Sequence, residues 1–254
     1  MNTPKVSIIL TTYNCENSIE KILDSIEMQD YPDIEVNIKD GESTDNTLEL
    51  ITKYKNSSKY IVNVRSQSDT GIYDAMNQGY ALSTGDILVF CSDVFICEDA
   101  VSSIVAAMND AGTDCVGAHA DLIYATEEKI VRYWKMGIGH IRSGWMPGHP
   151  TLYLKREIYE QYGLFKTDYR IAADYEFMVR ICKDNEDNIT YLPKTIINMS
   201  YGGTSNATAG SYWQSLMEAN RALRENEYKF PWWISFRRTL RLVWQFVAAK
   251  SYKG

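Results

Sequence analysis

Residues 69–79 and 83–93, which read DTGIYDAMNQG and STGDILVFCSD, form the stretch that determines the fold of this chain. A glycine at position 71 opens a short predicted helix, since glycine lets the backbone turn sharply or approach a ligand closely. The apolar run 87–90 follows as a predicted strand and delivers Asp93 to its carboxyl end. An open α/β sheet binds its ligand at that edge, where a carboxylate beside phosphate oxygens can hold Mg²⁺ or Mn²⁺.

Outward from this stretch, apolar runs typical of strands alternate with helical patterns. Predicted strands cover 5–10, 34–39, 60–65 and 87–90, and predicted helices cover 17–29, 46–54, 73–82 and 99–110. This order predicts βαβ units, and therefore an α/β fold with a doubly wound, mainly parallel sheet and flanking helices. After residue 114 the order is less regular, with predicted strands at 116–124, 130–134, 189–192 and 195–200 and helices at 156–161 and 174–183.

Four ordered motifs resemble those of the family 2 glycosyltransferases of GT-A fold, in particular the bacterial members that build O-antigen and capsule polysaccharides. The motifs are VSIILTTYN at 6–14, DGESTD at 40–45, the stretch 69–93, and IAADYEFMVR at 171–180. The resemblance implies an inverting transfer of a sugar from a UDP- or GDP-sugar to a glycan or polyprenyl-diphosphate-linked acceptor. It also implies a GT-A catalytic domain at 1–205, followed by a helical tail at 206–254.

The resemblance assigns several residues to the nucleotide. The loops after the first two strands lie at the same edge of a parallel sheet. The resemblance implies that Thr11 and Tyr13 lie around the base. Asp40 is expected to accept a hydrogen bond from the base or ribose, although an aspartate before glycine also suits an ordinary turn. The complete set of expected nucleotide contacts is Thr11, Tyr13, Asp40, Asp69, Gly71, Asn77, Ser92 and Asp93.

The expected metal motif is incomplete. Relatives read approximately Asp/Asn-x-Asp-Asp at this spot, whereas this chain reads CSDV at 91–94. Asp93 stands at the position that coordinates the metal, whereas a cysteine thiol is a poor match for Mg²⁺. We expect Mg²⁺ or Mn²⁺ bound by Asp93 together with diphosphate oxygens, with His149 as a neighbour of the metal or diphosphate. Binding is expected to be weak without the nucleotide.

Asp174 is the predicted catalytic base, because it matches the family position of the carboxylate that deprotonates the acceptor. It opens a predicted helix, so the simpler alternative is a helix cap, and Glu176 is the second choice for the base. The glycine-rich segment 136–149 is the predicted acceptor-side lid, with a plain surface loop as its alternative. GGTS at 202–205 resembles a closing loop of the family.

Other functions remain open at this stage. Relatives carry a basic residue beside the asparagine at position 77, whereas this chain has Met76 and Gln78. Together with Cys91 and Val94, these departures support a degenerate transferase that binds nucleotide or glycan without turnover. A sugar-1-phosphate nucleotidyltransferase is less favoured, because residues 10–14 lack a glycine-rich basic loop. A dehydrogenase is disfavoured, since no strand is followed by Gly-x-Gly-x-x-Gly.

Charge is distributed unevenly along the 254 residues. Residues 221–254 contain eight lysines or arginines and two glutamates, a net charge of +6, so the net charge of −7 leaves −13 on the rest. An acidic body argues against nucleic acid as the partner. The first residues, MNTP, lead directly into a strand too short to cross a membrane, which predicts a cytoplasmic protein.

The tail contains a predicted amphipathic helix at 231–250. At about 100° per residue, the aromatic and aliphatic side chains gather on one face, and Arg237, Arg238, Arg241 and Gln245 gather on the opposite face. This composition is typical of a helix lying in a membrane surface, and it predicts docking on the inner face of the cytoplasmic membrane. The alternative is a helix packed on the catalytic domain or on a second subunit as a homodimer.

Overall fold

The computed structural model describes residues 3–126, 128–200 and 209–251. The strands are β1 (Val6–Thr12), β2 (Ile34–Asp40), β3 (Ile61–Ser66), β4 (Ile87–Phe90), β5 (Val94–Phe95), β6 (Gly117–Ala125), β7 (Ile130–Trp134), β8 (Tyr153–Lys155) and β9 (Ile189–Ser200). The helices are α1 (Ile19–Glu27), α2 (Thr47–Ser57), α3 (Ile72–Tyr80), α4 (Ala100–Asp110), α5 (Arg156–Tyr162), α6 (Ala173–Asn185), α7 (Ala209–Glu225) and α8 (Pro231–Ala248). Short 3-10 turns occupy Ile141–Ser143, His149–Thr151, Glu186–Asn188 and Ala249–Ser251.

The described strands form one mixed sheet in the order β3-β2-β1-β4-β8-β6-β9-β5, with β7 added beside β6. Its first half is parallel: β1 pairs with β2 and β4, and β2 pairs with β3. The alternating pattern of residues 5–110 is therefore confirmed, and each predicted end lies within three residues of the observed one. Because the parallel strands run the same way, the ends of β1, β2 and β4 meet at one edge.

The second half of the sheet is mixed. β8 is antiparallel to β4 and β6, whereas β6 and β9 are parallel. The short strand β5 was not predicted, because a run of two residues carries no readable periodicity. The predicted break between 192 and 195 is absent, because β9 continues through Pro193 with register shifts opposite Ala120 and Asp121.

Two apolar layers lie on the two faces of the sheet. In β1, Ile8 and Leu10 belong to the layer formed with α1, α2 and α4, whereas Ile9 belongs to the layer formed with α3, α5 and α6. Successive side chains of a strand point to opposite faces, which is why this fully apolar run serves both layers. Leu223 of α7 joins the second layer. The proposed division of the chain at residue 205 stays a prediction.

Candidate active site

Asp40 lies at the carboxyl end of β2, with its carboxylate turned into the protein. It accepts hydrogen bonds from the Thr12 hydroxyl at 3.1 Å, the Ser66 hydroxyl at 2.8 Å, and the Ser43 hydroxyl and N–H at 2.6 and 2.9 Å. Burial raises the pKa of Asp40, but these donors outweigh burial and hold the pKa below its usual value. The residue is 0 % exposed. Its contact with a base or ribose therefore stays a prediction, while its role in joining these loops is evident.

Lys39 was missed by the sequence analysis and lies beneath the same edge. Its buried ammonium donates to the Asp40 carbonyl at 2.9 Å, the Gln67 carbonyl at 2.8 Å and the Asp69 carboxylate at 2.8 Å. All three donors of the lysine are thereby used, as a buried charge requires. The other oxygen of Asp69 accepts the Gly71 N–H at 3.1 Å. The Lys39–Asp69 ion pair therefore fixes the loop that starts α3. In the alternating strand β2 a lysine at this position reads as an ordinary polar residue, so no pattern in the sequence indicated its burial.

The first loop presents Tyr13 to solvent. The Thr11 N–H donates to the Ser92 hydroxyl at 3.2 Å, and this hydroxyl faces the Thr11 carbonyl at 3.3 Å, so the ends of β1 and β4 are joined. Beyond this link, Tyr13 is 66 % exposed. The side-chain oxygen of Asn14 accepts the Thr44 N–H at 2.9 Å and so braces the loop. A rigid loop carrying an exposed ring suits stacking against a planar base.

Asn77 makes a different contact from the one predicted. Its amide donates to the Phe165 carbonyl at 2.8 Å, and its oxygen accepts the Phe165 N–H at 3.1 Å. Both groups of the side chain are therefore engaged in tying α3 to the segment before α6. A contact from Asn77 to the nucleotide would have to replace these bonds, so that role stays a prediction. Gly71, with φ of +136°, occupies a backbone conformation that favours glycine.

Asp93 carries an uncompensated carboxylate just after β4. The residue is half-buried, and no hydrogen bond reaches its carboxylate from the part of the chain that the structure describes. Burial raises the pKa of Asp93 to about 7. A desolvated carboxylate without donors is stabilised by a nearby cation, so Asp93 fits the predicted Mg²⁺ or Mn²⁺ site.

The residues around Asp93 provide few further ligands. The Cys91 thiol is buried and donates to the Asp93 carbonyl at 3.7 Å, and burial raises the pKa of this thiol. Cys91 therefore supports the turn as a neutral thiol. Within the described ranges, no three acidic, histidine or cysteine side chains gather as a metal site requires. Diphosphate oxygens would have to complete the coordination, and weak binding without nucleotide stays a prediction.

His149 lies between β4 and the helix that carries Asp174. Its ring stacks on Phe90 at 5.9 Å between centroids and meets the edge of Phe165 at 5.4 Å. Burial lowers the pKa of His149, although the charge of Asp174 partly opposes this. The imidazole is therefore neutral at pH 7, the form that binds metals. Its predicted role beside the metal or diphosphate stays a prediction.

Asp174 lies in the first turn of α6 and is half-buried. Its carboxylate faces the Tyr73 hydroxyl at 3.2 Å, and that hydroxyl also donates to the Ile171 carbonyl at 2.5 Å. Tyr73 thus links α3, the helix of the 69–93 motif, to the predicted base. Burial is the main cause that raises the pKa of Tyr124, and the negative charges of Asp93 and Asp174 raise it further. Both carboxylates therefore lie close to this tyrosine. The two motifs that provided these carboxylates are therefore brought to one region.

A different residue holds the start of α6. Glu218 of α7 accepts the N–H groups of Ile171 and Ala172, both at 2.9 Å, and that of Arg170 at 3.2 Å. Burial raises the pKa of Glu218, but these donors hold it below its usual value. Asp174 accepts no cap hydrogen bond, so the helix-cap alternative is wrong. No sequence signal pointed to Glu218, which lies far along the chain.

Glu176, the second choice for the base, is structural. It is 0 % exposed and forms ion pairs with Lys166 and Arg180, both at 2.9 Å. A carboxylate enclosed in this way cannot reach an acceptor hydroxyl. Asp174 therefore stands alone as the candidate base in this motif.

A groove of about 1090 Å³ opens beside Asp174. It runs between β7, the segment 135–146 and α8, and aromatic side chains such as Trp134, Trp145 and Tyr175 line it. The segment predicted as a lid is firmly attached here. The Trp145 indole donates to the Met136 carbonyl at 3.0 Å, and a Cβ at Gly144 would lie 2.5 Å from the Arg238 nitrogen of α8. The segment forms one wall of the groove, and its movement as a lid stays a prediction.

The helix α8 is packed through its polar face. Arg241 donates to the Ser143 carbonyl at 3.3 Å, Arg238 lies 4.3 Å from the centre of the Tyr175 ring, and the buried Gln245 accepts from Arg132. The apolar face is exposed instead, with Trp232, Phe236, Leu240, Val243, Trp244 and Val247 all at least 50 % accessible. The alternative for this helix, packing on the catalytic domain, is therefore observed, and it occurs through the polar face. Docking on a membrane and contact with a second subunit stay predictions. Among the described helices, none is long and apolar enough to pass through a bilayer.

One predicted segment cannot be compared with the structure. The closing loop at 202–205 lies outside the described residues.

Comparison with known proteins places these motifs in context. A model of the family described as glycosyl transferase family 2 matches residues 7–172. A PGL/p-HBAD biosynthesis glycosyltransferase of Mycobacterium bovis is 29 % identical over 215 residues, which is 81 % of each chain. An uncharacterized glycosyltransferase of Mycobacterium tuberculosis is 27 % identical over 185 residues, covering 70 % of this chain and 69 % of the relative.

Solved structures resemble the fold at low identity. Residues 1–349 of S. aureus TarS, in complex with UDP-GlcNAc, superpose with a TM-score of 0.72 at 18 % identity, over 93 % of this chain and 72 % of that one. The mannosyltransferase PcManGT from Pyrobaculum calidifontis, in complex with GDP-Man and Mn²⁺, gives a TM-score of 0.65 at 18 % identity, over 99 % and 74 % of the chains. The predicted GT-A fold class is confirmed.

Proposed function

The chain belongs to glycosyl transferase family 2, and we propose that it transfers a sugar from a nucleotide-diphosphate sugar to an acceptor hydroxyl with inversion at the anomeric carbon. The observation that carries this proposal is the placement of Asp174. Its carboxylate is free of helix capping, faces Tyr73 at 3.2 Å and borders a groove large enough for a glycan. Glu176, in contrast, is enclosed by two cations.

The proposed reaction needs one base and one stabilised leaving group. The acceptor oxygen forms a bond to the anomeric carbon while the bond from that carbon to the diphosphate oxygen breaks on the opposite face. The acceptor proton passes to Asp174, and the nucleoside diphosphate leaves with the electron pair. A divalent cation, when bound, supplies positive charge to the leaving diphosphate. Asp93 is proposed to hold it, and the neutral His149 to contact the metal or diphosphate.

The proposed donor is a UDP- or GDP-sugar. Structural relatives were solved with UDP-GlcNAc and with GDP-Man and Mn²⁺, which supports this donor class and a divalent metal. Tyr13 is proposed to stack on the base, because its ring is exposed on a loop braced by Asn14. Asp40, Asp69 and Asn77 are proposed to act mainly by positioning these loops, since their side chains are held by protein groups.

The proposed acceptor is a glycan or a lipid-linked oligosaccharide of cell-surface glycan synthesis. The curated relative in Mycobacterium bovis is named for PGL/p-HBAD biosynthesis, which does not bear out O-antigen or capsule assembly in particular. We propose a cytoplasmic enzyme that associates with the inner face of the membrane through α8. The exposed apolar face of that helix supports this location.

A catalytically inactive binding protein is the second candidate. The departures at Met76, Cys91 and Val94 favour it, but Cys91 is accommodated as a buried thiol beneath Asp93. The position at which relatives carry a cation holds Gln78, which contacts Gln67 at 2.6 Å and Asp74 at 3.2 Å. Neither contact prevents turnover, since Asp174 and Asp93 both remain in place.

Donor hydrolysis separates the two candidates. We would incubate the protein with UDP-GlcNAc, UDP-glucose or GDP-mannose and Mn²⁺, and measure release of UDP or GDP and the thermal stability. The cognate donor at a hundred times its Kd should add about 2.7 kcal/mol of stability. The wild-type protein should hydrolyse it slowly with Mn²⁺, and should not hydrolyse it in EDTA. The Asp93→Ala variant should not hydrolyse it under either condition. Asp110 is an exposed residue of α4, so Asp110→Ala serves as the control and should behave like the wild type. Stabilisation without release would favour the binding protein, and neither effect with any donor would contradict both.

A further inference from the structure

We propose that the groove beside Asp174 recognises an anionic acceptor, one that carries phosphate or carboxylate groups. This inference rests on the proposed function, and it names the acceptor class of that site. The body of the protein is acidic, yet Arg132, Lys135, Arg238 and Arg241 all line this groove, and Asp174 carries the single carboxylate among the described residues of its lining. A cationic groove in an acidic protein indicates a negatively charged ligand, because it concentrates anions there.

The arginines are held by neutral groups. Arg238 lies over the ring of Tyr175 with 4.3 Å between its guanidinium carbon and the ring centre. Arg241 donates to the carbonyl and hydroxyl of Ser143, both at 3.3 Å. In the part of the chain that the structure describes, neither Arg238 nor Arg241 forms an ion pair with a carboxylate. Their positive charges are therefore available to a ligand.

Arg132 of β7, a further cation of the groove wall, also lies against aromatic rings. The guanidinium carbon of Arg132 lies 4.4 Å from the centre of the Tyr124 ring and 4.9 Å from that of Trp134. Planar guanidinium groups bind phosphate and carboxylate in a fixed fork geometry, and aromatic rings stack on the faces of sugars or contact isoprenoid chains. An anionic glycan and a lipid diphosphate share this chemistry.

The groove also has a geometry suited to an acceptor. Asp174 lines it, and the exposed apolar side chains of α8 lie along the same helix as Arg238 and Arg241. An acceptor bound by the arginines would present its hydroxyl toward Asp174. The donor residues Asp40, Asp69 and Asp93 do not line this groove.

Binding of two matched ligand pairs tests the proposal. The pairs are geranyl diphosphate with geraniol, and trigalacturonate with maltotriose. Quenching of tryptophan fluorescence reports binding, because Trp134, Trp145 and Trp244 line the groove. EDTA in all samples suppresses diphosphate binding at the metal-dependent donor site. We expect at least one anion to bind about tenfold or more tightly than its neutral partner, since a charge-assisted contact is worth about 1.5–3 kcal/mol.

Variants of the arginines show whether Arg238 and Arg241 bind the anion. Arg238→Gln and Arg241→Gln should each weaken binding of that anion about tenfold or more, whereas Arg238→Lys should retain part of it. Arg237→Gln is the matched control, because Arg237 lies on the same helix but faces a separate depression. It should change the Kd by less than about twofold. Circular dichroism melting confirms that each variant is folded.

The outcomes decide whether the groove binds anions and which kind of anion it binds. Preference for geranyl diphosphate identifies a lipid diphosphate, and preference for trigalacturonate identifies an anionic glycan. Equal affinity for the charged and neutral members of both pairs overturns the proposal, as does an equal loss in Arg237→Gln and Arg238→Gln. A different result would reject the proposed transfer reaction: the wild-type protein would release no nucleotide from any donor.

Discussion

At the scale of single residues, Asp174 combines the properties that a catalytic base needs. It is half-buried, it escapes helix capping because Glu218 holds the helix start, and it borders the groove. We therefore predict that Asp174→Asn folds and binds donor but loses about 10²–10⁴-fold in kcat for transfer, the usual contribution of a general base. Single-turnover transfer and donor titration measure the two effects. Near wild-type turnover of the variant would reject the assignment.

Lys39 gives a second prediction at this scale. The lysine is 0 % exposed, and Lys39→Met would leave the Asp69 carboxylate beneath the loop without its cation. Breaking a buried pair in this way costs about 3–5 kcal/mol in the free energy of unfolding. Urea denaturation measures the loss, and Lys39→Met with Asp69→Asn should recover part of it. A double variant no more stable than the single one would show that the ion pair itself matters little.

The site residues that sequence analysis identified differ from those it missed in one respect. Asp40, Asp93 and Asp174 follow readable motifs at the ends of strands or the start of a helix, so their positions could be predicted. The partners that hold such groups come from distant parts of the chain. Lys39 meets Asp69 across 30 residues, and Glu218 meets Ile171 across 47. Those pairings depend on how the elements pack, which local patterns do not contain.

At the scale of elements, the α6–α7 contact positions the base. Removing the carboxylate in Glu218→Ala leaves the N–H groups of Ile171 and Ala172 without their acceptor, at a cost of about 1.5–3 kcal/mol. We also expect kcat to fall more than the donor affinity, because the start of α6 carries Asp174. Glu218→Gln, which retains an acceptor oxygen, should keep most of both. Equal kcat in the alanine variant and the wild type would contradict this link.

The exposed face of α8 is the second prediction for an element. We predict that the protein binds anionic liposomes through this face, with Arg237 and Lys250 at the headgroups, and that salt weakens the binding. Trp232, Phe236 and Leu240 are 52 %, 50 % and 54 % exposed. Replacing all three with serine should reduce co-sedimentation more than about 100-fold, since each buried apolar side chain contributes about 1.5–3 kcal/mol.

A matched control is available in β3, an edge strand of the sheet. Ile61 of β3 is 61 % exposed, and Ile61→Ser should bind liposomes like the wild type. Equal binding by the triple serine variant, or a dimer in sedimentation velocity that this variant loses, would assign the face to a second copy of the chain instead.

At the scale of the whole molecule, the alternation of strands and helices predicted the parallel half of the sheet but left the mixed half incomplete. Parallel strands buried on both faces read as apolar runs, as residues 8–10 of β1 and the whole of β4 do. β8 has three residues and is nevertheless central, because it joins β4 to β6. Its place depends on antiparallel partners far along the chain. The same packing encloses His119 between Trp145 and Tyr191, at 5.3 and 5.2 Å between ring centres.

His119 gives the stability of the whole fold a defined pH dependence. Neither of its ring nitrogens has a hydrogen-bond partner in the described residues, and burial lowers the pKa of His119 to about 3. The unfolded chain binds this proton near its ordinary pKa of about 6.5. Stability from this group is therefore complete above pH 6.5 and is lost as the pH falls toward 3, by about 1.4 kcal/mol per pH unit. Asp93 has the opposite effect on stability. Because burial raises its pKa to about 7, its contribution becomes less favourable as the pH rises from about 4 to 7 and the buried carboxyl becomes charged.

Comparison of the wild type with His119→Phe isolates the contribution of His119 to this pH dependence. His119→Phe keeps an aromatic ring between Trp145 and Tyr191 but cannot be protonated, so the contributions of Asp93 and His149 cancel when it is compared with the wild type. We predict that its free energy of unfolding changes less than that of the wild type between pH 7 and pH 5, by about 2 kcal/mol. Urea denaturation at the two values measures this. The carboxylates with lowered pKa, such as Glu225 at about 2, lose their stabilising charge only at lower pH and do not interfere. An equal loss in the two proteins would mean that His119 finds a partner for its proton inside the fold.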